Sequence, residues 1–162
     1  MSVNKYVEHI FVLPEDDANR QIANGFILDP RLNARAVQIL PVAGGWTKVV
    51  DDFRNVHALE MRRYPKRRIV LLIDFDDQHE RRMNHLNEET PPQLNGRVFV
   101  LGVRSDPESL KRTINKSFEE IGKALSQDCV NNTREVWGHD LLEHNEPQLR
   151  AMISSVKPFL FP

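Results

Sequence analysis

Short apolar runs alternate along the chain with longer stretches in which apolar residues recur at helical spacing. Residues 6–13 (YVEHIFVL) begin in alternation and end in a continuous apolar run, the pattern of a strand entering a buried layer. Pro14 ends it, and Glu15, Asp16 and Asp17 follow, where a helix N-terminus welcomes negative charge. Ile22, Ala23 and Phe26 predict a short helix over residues 17–26, with Gly25 near its end. Residues 34–42 (ARAVQILPV) read as a second strand, and Gly44-Gly45 as a tight turn into a helix over 46–63. Pro65 closes that helix, because proline cannot continue a helix interior. Residues 67–76 (RRIVLLIDFD) carry an unbroken aliphatic run from Ile69 to Ile73, which suits a central parallel strand covered on both faces. An exposed helix is expected over 77–89, a Pro-rich loop over 89–96 and a fourth strand over 97–103. One long helix is then expected over 105–125. Ser105 or Asp106 caps it, Pro107 takes its first position, and Leu110, Ile114, Phe118, Ile121 and Leu125 form its apolar stripe. Leu149, Met152, Ile153 and Val156 predict a last helix, and the final Phe-Leu-Phe should be docked, since an exposed one would be sticky.

The β-α-β-α-β-α-β-α order implies an α/β fold: a mainly parallel sheet of about four strands, right-handed crossovers, and helices on both faces. At 162 residues the chain is one expected domain, 1–162, with 131–162 as a helical extension docked on it. Composition narrows the function less than the pattern narrows the fold. With 22 Lys and Arg against 23 Asp and Glu, the net charge of −1 advertises no global basic field, so any nucleic-acid contact has to be local. The single cysteine, Cys129, excludes an intramolecular disulfide framework and a cysteine-based zinc site, and fits a reducing compartment. With no signal-peptide pattern at the start and no apolar run near the ~20 residues that span a bilayer, a cytoplasmic protein without membrane contact is the expectation.

The candidate chemistry lies at strand ends. Glu15 follows the first strand, and Asp74 and Asp76 close the third; a carboxylate at the carboxyl end of such a strand lies on the rim where open α/β sheets place their ligands. Two residues apart in a strand, Asp74 and Asp76 share a face and can turn toward one ion. Magnesium takes oxygen ligands and is held by one or two carboxylates, waters and substrate phosphates, so Mg2+ or Mn2+ and phosphate chemistry follow. The plain alternative is a strand end running into an Asp-capped helix, with Asp76 or Asp77 as the cap, and Glu15 as an ordinary helix-start acid. Gly44 and Gly45 are a turn or a phosphate-binding loop, and no Walker or dinucleotide pattern decides between them. His139 and His144 are five apart, off the spacing of helical zinc ligands, and read as structural or surface residues. His79, His85, Arg81 and Arg82 form a solvated helix face or touch phosphates.

A strand ending in Glu15, a strand leading to Gly44-Gly45, a strand ending in Asp74-Phe75-Asp76 and a further strand followed by Glu108 together resemble the Toprim domain. That domain is shared by topoisomerases, bacterial primases, the 5S ribosomal RNA maturase and the nucleases of the overcoming-lysogenization-defect group. The resemblance spans residues 6–110 and implies Glu15 as general acid/base or metal ligand and Asp74 and Asp76 as magnesium ligands. It also implies the glycine pair as the turn after the second strand, and Glu108 as a further ligand by analogy with the last group. Toprim domains usually carry glycine after the first-strand Glu; here Asp16 crowds the site or adds a carboxylate. The implied function is a small metal-dependent nuclease acting on DNA or RNA, alone or with a partner chain. The alternatives are a non-catalytic interaction protein of the same fold and a haloacid-dehalogenase-type phosphatase. The phosphatase's Asp-x-Asp normally lies near the chain start and precedes Thr or Val, where this chain has Asp77.

Overall fold

The computed structural model describes residues 2–162. Four strands, β1 (His9–Pro14), β2 (Val37–Ile39), β3 (Arg67–Asp74) and β4 (Val98–Val103), form one sheet in the order β2-β1-β3-β4, every pair parallel. β1 and β3 are in register from His9 beside Arg67 to Pro14 beside Leu72, so both carboxyl ends emerge on one rim. The sheet is all-parallel with helices on both faces, as the alternating pattern requires. β2 is shorter than its apolar run: Asn33 caps a 3-10 turn over Ala34–Ala36 before the strand begins.

Strand periodicity divides the core into two layers. Ile10, Val70, Phe99, Leu101 and Val103 face one side, against α1 (Asp17–Phe26), α5 (Pro107–Ile114), α6 (Phe118–Asn131) and α7 (Glu146–Leu160). Phe11, Leu13, Ile69, Leu71, Ile73 and Val100 face the other, against α2 (Trp46–Asp52), α3 (Ala58–Arg63) and α4 (His79–Glu89). A π-helical turn over Phe53–His57 joins α2 to α3 within one continuous helical path. Residues of α7 (Leu149, Met152, Val156, Leu160) belong to the first layer, together with Trp137. Among the described residues no helix is long and apolar enough to cross a membrane.

Two differences from the pattern have local causes. The single helix expected over 105–125 is two, because Asn115 takes a left-handed conformation (φ 54°) and Ser117 opens α6 with a capping box. The Ser117 hydroxyl accepts from the Glu120 amide at 3.1 Å, and the Glu120 carboxylate accepts from the Ser117 amide at 3.0 Å. The apolar stripe survives the break, since Leu110, Ile121 and Leu125 are all buried. Gly25, placed near the end of α1 on its sequence, is instead half of a helix crossing. A Cβ there would meet the Glu119 carbonyl oxygen at 2.0 Å, and one on Gly122 would meet the Ile22 carbonyl oxygen at 2.0 Å.

The edge strand β4 is closed by side chains. Gln148 accepts from the Val100 amide at 3.0 Å, while Asn145 accepts from the Gly102 amide and donates to its carbonyl at 3.1 and 2.9 Å. Amides thus occupy the groups that a further strand would otherwise pair with.

Candidate metal centre

The winding of the chain singles out one place on the sheet. From β1 the chain moves outward to β2, returns past β1 to β3 and continues to β4, so the direction reverses between β1 and β3. Beyond the carboxyl ends at such a reversal lies the crevice in which doubly wound sheets bind ligands. Glu15 and Asp74 stand there, at the ends of the two strands that flank it.

The main chain of Glu15 is fixed on both sides. Its amide donates to the Leu72 carbonyl at 2.9 Å, and its carbonyl accepts from the amides of Gly44 and Gly45 at 2.9 and 3.2 Å. The glycine pair, a candidate phosphate loop on its sequence, spends both amides on this backbone clamp. The turn needs φ of 97° and 139°, values that glycine adopts without steric cost.

Carboxylate oxygens of Glu15, Asp16 and Asp74 lie within 4.8 Å of one another, forming a cluster able to hold a metal ion. Asp16 is the N-cap of α1, its Oδ1 accepting from the Asn19 amide at 3.0 Å. The residue standing where a glycine was expected therefore adds a third carboxylate. Asn19, 1% exposed, ties the cluster together: its Nδ2 donates to Asp16 Oδ1 at 3.0 Å and to Asp74 Oδ1 at 2.8 Å. Two buried oxygens in this group, Glu15 Oε1 and Asn19 Oδ1, have no hydrogen-bond partner among the described residues. One of the three carboxylates thus has an unpaired oxygen and the Asn19 amide oxygen lies unpaired with it, an all-oxygen set of the kind that could hold a metal ion. Burial raises the Glu15 pKa to about 7, with Asp16 adding repulsion. Burial likewise raises Asp74 to about 8, against the Asn19 hydrogen bond that lowers it. Without a cation the cluster holds protons near neutrality, and a bound cation would displace them.

Asp76 does not join this cluster. β3 ends at Asp74, and Asp76 and Asp77 take left-handed conformations (φ 47° and 58°) as their amides reach across to the carbonyls of Ser105 and Arg104. The same-face argument for Asp74 and Asp76 needed a strand that continues, and it does not. The helix-cap alternative also fails, because the N-cap of α4 is Gln78. Asp76 is half exposed and pairs with Arg82 at 3.1 Å. Arg82, expected on a solvated face, has only 12% of its side chain exposed; it donates to the Asp74 carbonyl and stacks on Trp46 at 4.8 Å. Arg82 and Trp46 also line an open cleft of about 1220 Å3 with Thr47, His79, Arg81 and His85. Glu108 lies exposed in the first turn of α5, outside the cluster, while Asp106 caps that helix.

Asp16 was legible as a residue that either crowds the site or adds a carboxylate, and Asn19 went unseen. Its only sequence signal is a position one turn after the N-cap. Comparison with protein-family models, curated proteins and solved structures finds no match to the chain.

Proposed function

We propose that the chain is a metal-dependent phosphoryl-transfer protein, a small Toprim-like nuclease acting on DNA or RNA, with Mg2+ or Mn2+ held by Glu15, Asp16 and Asp74. The observation that carries this reading is the convergence at the β1/β3 reversal of three carboxylates, one of them with an unpaired buried oxygen, and the unpaired Asn19 Oδ1. A bound divalent ion would polarise a phosphoryl oxygen and lower the pKa of a bound water. Glu15, whose Oε1 has no partner, is the group best placed to accept the proton of an attacking water. Asn19 holds Asp16 and Asp74 at their separation, and Arg82, which lines the Trp46 cleft, donates to the Asp74 carbonyl. Trp46 and Arg81 in that cleft supply an aromatic face and a cation of the kind that engages bases and phosphates.

The phosphatase alternative requires its second aspartate free to act, and the engagement of Asp76 with Arg82 weighs against it. The test is Mg2+- or Mn2+-dependent cleavage of single-stranded and duplex DNA and RNA by highly purified protein. Glu15→Gln and Asp74→Asn each abolish cleavage with the fold intact, whereas Glu108→Gln cleaves as the wild type does. Cleavage that survives both of the first two substitutions overturns the proposal. An intact fold whose melting responds to metal, with no cleavage on any substrate, would leave a non-catalytic metal-binding interaction protein.

A further inference from the structure

A second group of ligand side chains lies at the same end of the sheet, on the other side of β3. Phe75, fully buried, follows Asp74 and turns into the α2–α4 layer. Its ring packs against His79, the first residue of α4, with centroids 4.7 Å apart, and against His144 at 5.2 Å. The two imidazoles meet each other at 4.7 Å with planes 67° apart. Residues sixty-five positions apart, His79 just past the Asp74-Phe75-Asp76 stretch and His144 far from it in sequence, thus form a pair.

His144 is held through one ring nitrogen and leaves the other unpaired among the described residues. Nε2 lies 2.8 Å from the Gly102 carbonyl, an acceptor only, so this nitrogen carries the proton and donates. The Gly102 backbone is itself pinned by Asn145. The other nitrogen, Nδ1, therefore presents a lone pair; it is shielded from solvent and has no partner. A backbone carbonyl on one ring nitrogen is the arrangement that fixes tautomer and orientation in metal-binding histidines. His79 has no hydrogen bond to either ring nitrogen among the described residues.

The spacing of the rings fits a shared ion. With metal–nitrogen bonds of about 2.0–2.1 Å, each ring centroid lies about 3.2 Å from the ion, which puts two cis imidazoles about 4.5 Å apart at a right angle and about 5.2 Å apart at a tetrahedral angle. The observed 4.7 Å falls between these limits. Burial disfavours the charged form of both rings and lowers the pKa of His144 to about 4.

We propose that His79 and His144 form a two-imidazole site for a borderline divalent cation such as Zn2+ or Cu2+, distinct from the carboxylate cluster. Two neutral nitrogens suit such ions, and an all-oxygen set suits Mg2+, so the two sites select different metals. The assay uses Cu2+ on the tag-free full chain, read by electron paramagnetic resonance and by titration calorimetry. The wild type shows a Cu2+ species with superhyperfine coupling to two imidazole nitrogens. His79→Ala and His144→Gln each remove the two-nitrogen signature and weaken binding at least about tenfold. Asp74→Asn leaves it unchanged, which separates this site from the carboxylate one. His79 starts a helix and makes ring contacts alone, so His79→Ala keeps the fold and decides the matter if His144→Gln does not fold. A one-nitrogen spectrum, binding unaltered in His79→Ala, or binding lost in the His85→Ala control overturns the proposal.

Discussion

Asp74→Asn should stabilise the metal-free protein, and do so more strongly as the pH rises. The substitution keeps an Oδ1 acceptor for the Asn19 Nδ2 at the observed 2.8 Å and removes the negative charge that burial and the neighbouring carboxylates oppose. Burial pushes Asp74 up to about 8 in the folded chain, against an ordinary value of 3.8. Between these values the folded state holds a proton that the unfolded state has released, so wild-type stability falls as the pH rises through the window. At ~1.4 kcal/mol per pKa unit, the loss from this group between pH 5 and pH 8 is about 3–4 kcal/mol. For a domain of this size that corresponds to about 10 °C in melting temperature. Glu15, raised from 4.5 to about 7, moves in the same direction. The assay is thermal and urea denaturation of both proteins at pH 5 and pH 8, in EDTA and in millimolar Mn2+. In EDTA the variant should gain little at pH 5 and several kilocalories at pH 8. Mn2+ selects the ionised cluster, so it should stabilise the wild type increasingly as pH rises and leave the variant unmoved. A variant advantage equal at the two pH values, or a wild type indifferent to Mn2+ at pH 8, would refute the electrostatic account of the cluster.

Two further outcomes test the scaffold that holds the site. Gly122→Ala places a methyl 2.0 Å from the Ile22 carbonyl oxygen, so α1 and α6 must separate; a loss of about 1–3 kcal/mol in urea unfolding is expected, with weaker Mn2+ binding because α1 carries Asp16 and Asn19. Asp128→Ala removes the acceptor of the Glu135, Val136 and Trp137 amides and of the Thr133 hydroxyl, and should cost at least about 3 kcal/mol. Burial alone would raise the Asp128 pKa, but these four donors outweigh it and the net direction is down. Its stabilisation is therefore present above the ordinary carboxylate pKa and is lost as pH falls through the lowered value, so an acid titration of wild type against Asp128→Asn should converge at low pH.

The elements that the sequence announced best were those whose burial is uniform. β3 needed only its aliphatic run, because a strand covered on both faces requires apolar residues at every position. α1 and its acidic start were equally plain, since capping is a local matter of side chain and backbone. The break between α5 and α6 was also written locally, in Asn115 and in Ser117 with Glu120, but the apolar stripe runs across it and masked it.

The amino-acid sequence by itself determined the α/β class, the parallel sheet and two of the three converging carboxylates, Glu15 and Asp74, because strand-end positions follow from short-range pattern. Only the tertiary structure decided the rest of the site. Strand register and the reversal between β1 and β3 bring the two rims together, and the α1 N-terminus delivers Asp16 and Asn19 to them. The left-handed turn after β3 sends Asp76 to Arg82 instead of into the carboxylate cluster. His79 and His144 meet because both pack on Phe75, a contact between distant segments that no spacing along the chain encodes. Which side chains share a volume is set by how the layers stack, and stacking is a property of the whole core rather than of any one segment.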